Sequence, residues 1–446
     1  MKLIKIRSRS VPHKIQIPPT VSTPSPERVV LSLHSNGGTA HALVSKGEKV
    51  KKGQCIAEAE DSLTRPVFAS ISGTVSGIRP WQNLQGKEEL SIVIQSDGSE
   101  EDAGSASSDE IAAREPQRLL AEINKSGIRE VDPHPWPLAY RIASPALIGG
   151  LLRSPPAPLT RPIETLILNG LDRQPGVFVR GSVLNERHMD LLDAIAVLQK
   201  VSSPGRTVLA VSQDQLLSVH FQNKTRQLGV EIVRCPDKYP LGLEPVLTGF
   251  ITKKEVPQPA NDTRMIGAAV VDVITALEIV DSLRGPISPA EIVVQVDGPS
   301  EWPIRMVRVS KGTVLEDLLH QFEPLPTKPA KIILGGLLLG YAQHNLLAPL
   351  TEEVEAVTIQ TRDSLIRSSN EPCLNCGYCV LHCPMGLLPN ELGKYLEYGR
   401  FEEAENQYLS HCIECGICSY VCPAKRPMVH LVRFGKQEIA NMRKVS

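Results

Sequence analysis

Eight of the ten cysteines stand in the last quarter of the chain, in two copies of one spacing. Cys373, Cys376, Cys379 and Cys383 precede Pro384, and Cys412, Cys415, Cys418 and Cys422 precede Pro423. Three thiolates two residues apart on a tight turn can point at three corners of one iron-sulfur cubane. In a C-x2-C-x2-C-x3-C-P run the fourth cysteine ligates the other cluster. The expected cages are therefore Cys373, Cys376, Cys379 and Cys422 for cluster one, and Cys412, Cys415, Cys418 and Cys383 for cluster two. The fourth cysteine is expected to begin a helix, and the proline behind it removes a backbone donor and turns the chain away. Gly377 and Gly416 lie inside the loops, where the missing Cβ lets N–H groups approach sulfur. The chemistry implied is one-electron transfer.

Other uses of cysteine fit the pattern less well. Structural zinc sites take two ligands from each of two C-x2-4-C pairs with a longer spacer, and a triple run is crowded for that arrangement. A disulfide framework suits small secreted domains, and 446 residues can build a core without staples. Cys55 and Cys235 stand alone in apolar surroundings and read as small buried hydrophobes. His382 and His411, each beside a ligand cysteine, are not needed as ligands while all eight thiols are present. Lys394, Arg400, Lys425, Arg426, Arg433 and Lys436 make the tail basic; most read as a solvated face, although cations near a cluster would raise its potential.

The length suggests about three domains. Net charge is -1 and aromatic residues are 4%, so neither a basic field nor a stacking platform for nucleic acid is present. The basic N-terminus MKLIKIRSRSVPHK lacks an apolar run behind it and does not read as a secretory signal. The most apolar stretch, Ile332 to Leu350, is interrupted by Gly335, Gly336, Gly340, Gln343, His344 and Asn345, so no segment is expected to span a bilayer.

The positioning elements divide the chain into a multidomain α/β plus all-β protein. Residues 1–100 alternate short β-branched runs with turns at Gly47, Gly53 and Gly73, and are expected to form a barrel-sandwich domain of the biotinyl-lipoyl type. Lys49, Lys51 and Lys52 form its GEKVKKGQ turn, read as structural. An acidic, apolar-poor stretch, 101–116, reads as linker. Residues 117–286 are expected to form a Rossmann-like α/β domain, with strands at TLILNG, TVLAVS and VEIVRC, helices at ERHMDLLDAIAVLQK and Gln213 to Leu228, and a long helix from Arg264 to Leu283. Lys238, Tyr239 and Glu244 follow a strand end, where such sheets place ligands. Residues 287–360 suit a β-grasp-like (SLBB) unit. Residues 361–446 are expected to be a helical dicluster ferredoxin domain, with Pro389 to Gln407 as its connecting helices.

This order of modules, together with GEKVKKGQ, ASISGTV, TLILNG, DKYPLGLE, the GG-x3-G segment at Gly335, Gly336 and Gly340, CPMGLLPNEL and CIECGICSYVCP, resembles the RnfC family, the C subunit of the Rnf ion-translocating electron transport complex. The resemblance covers nearly the whole chain, and the tail is its specific part. It implies a cytoplasmic subunit attached peripherally to the inner membrane, with membrane subunits of an Rnf-like complex as partners. It also implies exchange of electrons with NADH through FMN and two 4Fe-4S clusters. The family's flavin segment, like GLGGAxFPT, is here SPALIGGLLRSPPAP, where Gly149 and Gly150 remain as a loop remnant. Pro155, Pro156 and Pro158 offer no N–H to a phosphate. The family's ECEP is here Asp172, Arg173, Gln174 and Pro175. The expectation is that the cluster wire is kept while the FMN and NADH site is lost or rebuilt. Its partner would be a redox protein such as a ferredoxin or cytochrome. The alternatives are an NADH-oxidising FMN/Fe-S flavoprotein, of the RnfC or cobalamin-reductase type, and a zinc-binding assembly protein.

Overall fold

The computed structural model describes residues 2–6, 18–35, 38–59, 64–99, 107–128, 130, 136–285, 290–299, 302–322, 329–365, 367–369 and 371–445. At the centre of the scaffold lies a four-stranded parallel sheet. Its order is Val230–Cys235, Arg206–Ser212, Thr165–Asn169, Ala268–Asp272. Successive residues of the Thr165 strand face opposite cores. Leu166 and Leu168 pack with the helices Val179–Ser202 and Val273–Arg284, while Ile167 joins Val208, Val270, Leu247 and Ile251 on the other side. Burial on both faces explains the unbroken apolar run, since each buried Leu or Ile contributes about 1.5–3 kcal/mol relative to exposure.

The sequence expectation of one helix from Arg264 to Leu283 is corrected here. The segment folds as a 3-10 turn, Thr263–Ile266, then the strand Ala268–Asp272, then the helix Val273–Arg284. Gly267, at φ +74, ends the turn, and the Asp272 side chain accepts from Ile274 N at 2.8 Å to start the helix. The helix expected at Gln213 to Leu228 is confined to Val219–Gln227, and the one at ERHMDLLDAIAVLQK forms the second part of Val179–Ser202, whose backbone leaves helical geometry at Arg187 (φ -122, ψ 21).

In the N-terminal part, Arg28–Ser32, Glu88–Ser96, Gly73–Gln82 and Lys49–Val50 form one sheet, and His41–Ala42, Cys55–Glu58 and Val67–Phe68 a second. Val29, Leu31, Ile56, Val75, Ile92 and Ile94 fill the space between them. Gly73 is not a turn: it opens a strand, and a Cβ there would collide with the Gln95 carbonyl oxygen. Lys52 pairs with Glu291 at 3.0 Å, tying this sandwich to the next unit. Part of the expected linker is helical. Ser108–Ala113 carries a capping box between Ser107 and Glu110, whereas residues 101–106 lie outside the described residues.

A six-stranded sheet follows, ordered Thr20–Ser22, Arg305–Ser310, Glu291–Asp297, Ala356–Gln360, Lys331–Leu334, Tyr341–Gln343, with the helix Leu315–His320 packed on it. Its first strand comes from the N-terminal segment and pairs in parallel with Arg305–Ser310. The tail contains the helices Pro389–Glu397, Phe401–Asn406 and Met428–Val445, which pack through Leu392, Leu396, Ala404, Leu409 and Val432. Among the described residues no helix is long and apolar enough to cross a membrane.

Candidate iron-sulfur and cofactor sites

Both cysteine runs have the same backbone. Asn375 and Glu414 adopt φ of 51 and 54, and Gly377 and Gly416 both adopt φ of 74, so each loop turns through two left-handed residues around its second cysteine. A short helix then carries the third cysteine: Tyr378–His382 in the first run and Ile417–Tyr420 in the second. The fourth cysteine therefore ends a helical turn and does not begin one. Cys383 is the residue after His382, and the next helix starts only at Pro389.

The fold brings the thiols together crosswise. Cys373, Cys376, Cys379 and Cys422 line one small cavity. Cys418 lies within electrostatic reach of Cys412, Cys415 and Cys383. All ten cysteines are free of disulfides. No group of three or more His, Cys, Asp or Glu among the described residues is placed to hold a single metal ion. The first set surrounds a space, as a cubane with one thiolate on each iron requires, whereas four thiolates on zinc would converge to about 2.3 Å from one point.

Burial pushes the thiol of Cys412 up to about 11 and that of Cys415 up to about 12, and holds Cys418 well above the ordinary value. Sulfurs so buried become thiolates only against positive charge, which iron supplies. Backbone N–H groups already face them: Glu414 N donates to Cys412 Sγ at 3.4 Å, and Asn390 N donates to Cys379. Such donors set a cluster's potential.

The Cys412–Cys418 loop is clamped from three sides. Tyr239, buried, donates its hydroxyl to the Cys415 carbonyl at 2.5 Å, and Tyr239, Leu243, Cys415 and Ile417 share one apolar contact with Leu338. The Gly335–Gly340 turn, with φ of 88 and 85 at Gly335 and Gly336, presses the Leu338 carbonyl to 3.0 Å from where a Cβ on Gly416 would be. From the terminal helix, Arg433 donates to the carbonyls of Leu339 and Gly340, and Lys436 donates to the Cys412 carbonyl at 2.6 Å; both pair with Glu414. The reading of these cations as a solvated face fails for three of them, because Arg426 is also buried, pairs with Glu397 and donates to the Glu371 carbonyl. The clue was periodicity: Arg433 and Lys436 lie three apart on one helix face. The Cys373–Cys379 loop is the open one. Cys376 is exposed, with exposed Leu374, Tyr378 and Leu381 around it, and Lys2 reaches the Val380 carbonyl. His382 bonds the Tyr378 carbonyl at 2.9 Å through Nδ1.

A cavity of about 600 Å³ opens between the α/β unit, the six-stranded sheet and the tail, bordered by Arg173, Glu244, Gly335, Tyr341, Cys412 and Arg433. Gly149 and Gly150, the remnant of the flavin loop, are exposed and do not border it. Of the DKYPLGLE loop, Glu244 borders the cavity and Tyr239 reaches the Cys415 carbonyl; Lys238 joins neither.

A barrel sandwich, a parallel-sheet unit and a tail of two crosswise cysteine cages define an iron-sulfur electron-transfer protein. Three family models match in that order: the RnfC barrel sandwich hybrid domain at 9–99, the Nuo51 FMN-binding domain at 153–281 and the 4Fe-4S dicluster domain at 372–426. The chain is 27% identical, over 94% of its own length and 90% of the other's, to the C component of the proton-translocating ferredoxin:NAD(+) oxidoreductase complex of Clostridium ljungdahlii. It is 24% identical to the C component of the Na(+)-translocating ferredoxin:NAD(+) oxidoreductase complex of Acetobacterium woodii, covering 94% and 92%. To the C component of the ion-translocating oxidoreductase complex of Vibrio cholerae it is 28% identical over 88% of its own length, spanning 50% of that protein. Over nearly its whole length the chain is similar to these C components, and its tail matches a two-cluster 4Fe-4S domain. A crystal structure of an NAD+-reducing NiFe hydrogenase shares the fold over 74% of this chain and 62% of that one, with a TM-score of 0.50 and 16% identity.

Proposed function

We propose that the chain is the electron-relay subunit of an Rnf-like redox complex, attached peripherally at the cytoplasmic face of a membrane through partner subunits. Cys373, Cys376, Cys379 and Cys422 hold cluster one; Cys412, Cys415, Cys418 and Cys383 hold cluster two. The clusters supply one-electron acceptance and release. The protein's own contribution is to exclude water from cluster two, to aim N–H groups at its sulfurs and to expose cluster one, through Cys376 and its apolar collar, to a redox protein such as a ferredoxin or cytochrome. The observation that carries this reading is the crosswise gathering of thiols from runs about forty residues apart.

The remaining parts serve that wire. Residues 1–100 act as the barrel sandwich, 117–286 as a Rossmann-like unit, 287–360 as an SLBB-type β-grasp unit and 361–446 as the dicluster module. The strand Thr20–Ser22 crosses from the first to the third. The second and third supply the loops that press on cluster two. Iron and acid-labile sulfide analysis of anaerobically purified protein, with EPR after dithionite reduction, tests the assignment. Two cubanes per chain are expected; zinc in place of iron, with no sulfide, overturns it.

A further inference from the structure

The match to an FMN-binding domain implies a flavin, and the residues at its place do not fit one. In a parallel sheet of order 3-2-1-4 a ligand sits outside the carboxyl ends of the strands where the order reverses, here between Thr165–Asn169 and Ala268–Asp272. Asn169 and Asp272 are direct neighbours across that seam. The crevice beyond them is filled. Arg180, 1% exposed, donates from Nε to Asp272 and from its terminal nitrogen to Glu355, and Asp172 lies against the same guanidinium. Asn169 is turned away to the Gly242 carbonyl at 2.9 Å.

Phosphate needs free N–H groups at a helix start. The two starts that flank the reversal already carry the chain's own carboxylates. Asp172 accepts from Arg180 N at 2.9 Å on the Val179 helix, and Asp272 from Ile274 N at 2.8 Å on the Val273 helix. The start of the Glu244–Thr252 helix, which borders the cavity beside Cys412, offers the Glu244 carboxylate, paired with Arg141 at 2.7 Å, and Pro245, which has no N–H. Gln174 plugs a second opening: it donates to the Gly335 carbonyl and accepts from Leu338 N at 3.0 Å. Adding a phosphate would bring two more negative charges to three carboxylates that share the buried Arg180, Glu355 itself buried and Asp172 and Asp272 partly so.

We infer that this chain carries no FMN: an internal ion-pair lock centred on Arg180 occupies the flavin crevice, and the α/β unit has become a rigid platform for cluster two. It rests on the relay reading, and electrons must then enter from a protein or other one-electron donor. The test uses the anaerobically purified full chain. Flavin is extracted with acid and measured by fluorescence, and added FMN is titrated against the holoprotein by fluorescence quenching. Flavin far below one per chain and unquenched FMN are expected, with clusters bleached by dithionite and not by NADH. One FMN per chain, or stoichiometric quenching, overturns the inference. Iron and sulfide measured on the same sample keep the two readings apart, because missing clusters refute the relay and bound flavin refutes only the lock.

Discussion

Replacing Arg180 with Met keeps most of the side-chain volume and removes the cation. Glu355, buried, and Asp172 and Asp272, partly buried, then remain together, with Arg173 Nη1 at 3.6 Å from Glu355. Removing one partner of such a buried set costs about 3–5 kcal/mol. For a domain the size of this α/β unit, each kcal/mol moves the melting point by about 2–4 °C, so a drop of about 6–20 °C is expected at pH 8. The sign of the pH dependence follows from the carboxyls. Burial already pushes Asp172 up to about 7 and raises Asp272, even with Arg180 in place. Without the guanidinium both rise further, so the folded variant takes up protons that the unfolded chain does not. The stability they contribute is complete below the ordinary carboxyl range and lost as pH rises through the raised values. The deficit of Arg180→Met is therefore smaller at about pH 5.5 than at about pH 8. Anaerobic melts followed by near-UV circular dichroism read it directly. A drop below about 2 °C at both pH values would refute the lock as a structural element.

The crosswise ligation is tested by EPR of single variants: Cys376→Ala and Cys422→Ala should lose one cluster signal, Cys383→Ala and Cys418→Ala the other, each with half the iron, and a shared loss for Cys376 and Cys383 would contradict the assignment. Gly416→Ala forces a left-handed alanine, costing about 1–2 kcal/mol, and also meets the Leu338 carbonyl at 3.0 Å. Gly377→Ala has the same φ of 74 with nothing within 4 Å, so it should destabilise less in matched melts. Arg433→Gln should lower the reduction midpoint of cluster two and leave cluster one unmoved, because a cation is lost beside the Cys412 loop; equal shifts in redox titration would count against a local effect. Burial raises Asp297 from 3.8 to about 6, so wild type loses about 3 kcal/mol of its contribution as pH climbs from about 4 to about 7. Asp297→Asn should flatten that part of the melting profile, and parallel profiles for the two proteins would sink the assignment.

The dicluster character of the tail was legible because the cysteine spacing is local: three thiols per run lie on one loop. The four-stranded sheet was half legible. Thr165–Asn169 and its two parallel neighbours on one side stood out as apolar runs bounded by turns. The fourth strand did not, because AAVVDVITALEIV is apolar throughout and a buried strand running into a buried helix has no visible change of period. Only Gly267, as a left-handed stop, and Asp272, as a cap on Ile274, mark the boundary. The clamp on cluster two was missed for a different reason. Tyr239 and Cys415 are 176 positions apart, and Arg433 and Gly340 are 93 apart, so each half looks complete without the other.

The lock itself left one mark in the sequence. Arg180 is the second residue of its helix, where the positive end of the peptide dipoles disfavours a cation. Arginine keeps such a place only if carboxylates hold it more strongly than the dipole repels it. Asp172, eight residues earlier, was in view, but Asp272 and Glu355 are 92 and 175 positions away and become partners only after the sheet and the strand Ala356–Gln360 meet. The same folding step that closes the flavin crevice therefore also joins the α/β unit to the six-stranded sheet. On that reasoning the loss of the crevice and the rigidity of the platform beneath cluster two are one event, and a variant that reopens the first should loosen the second.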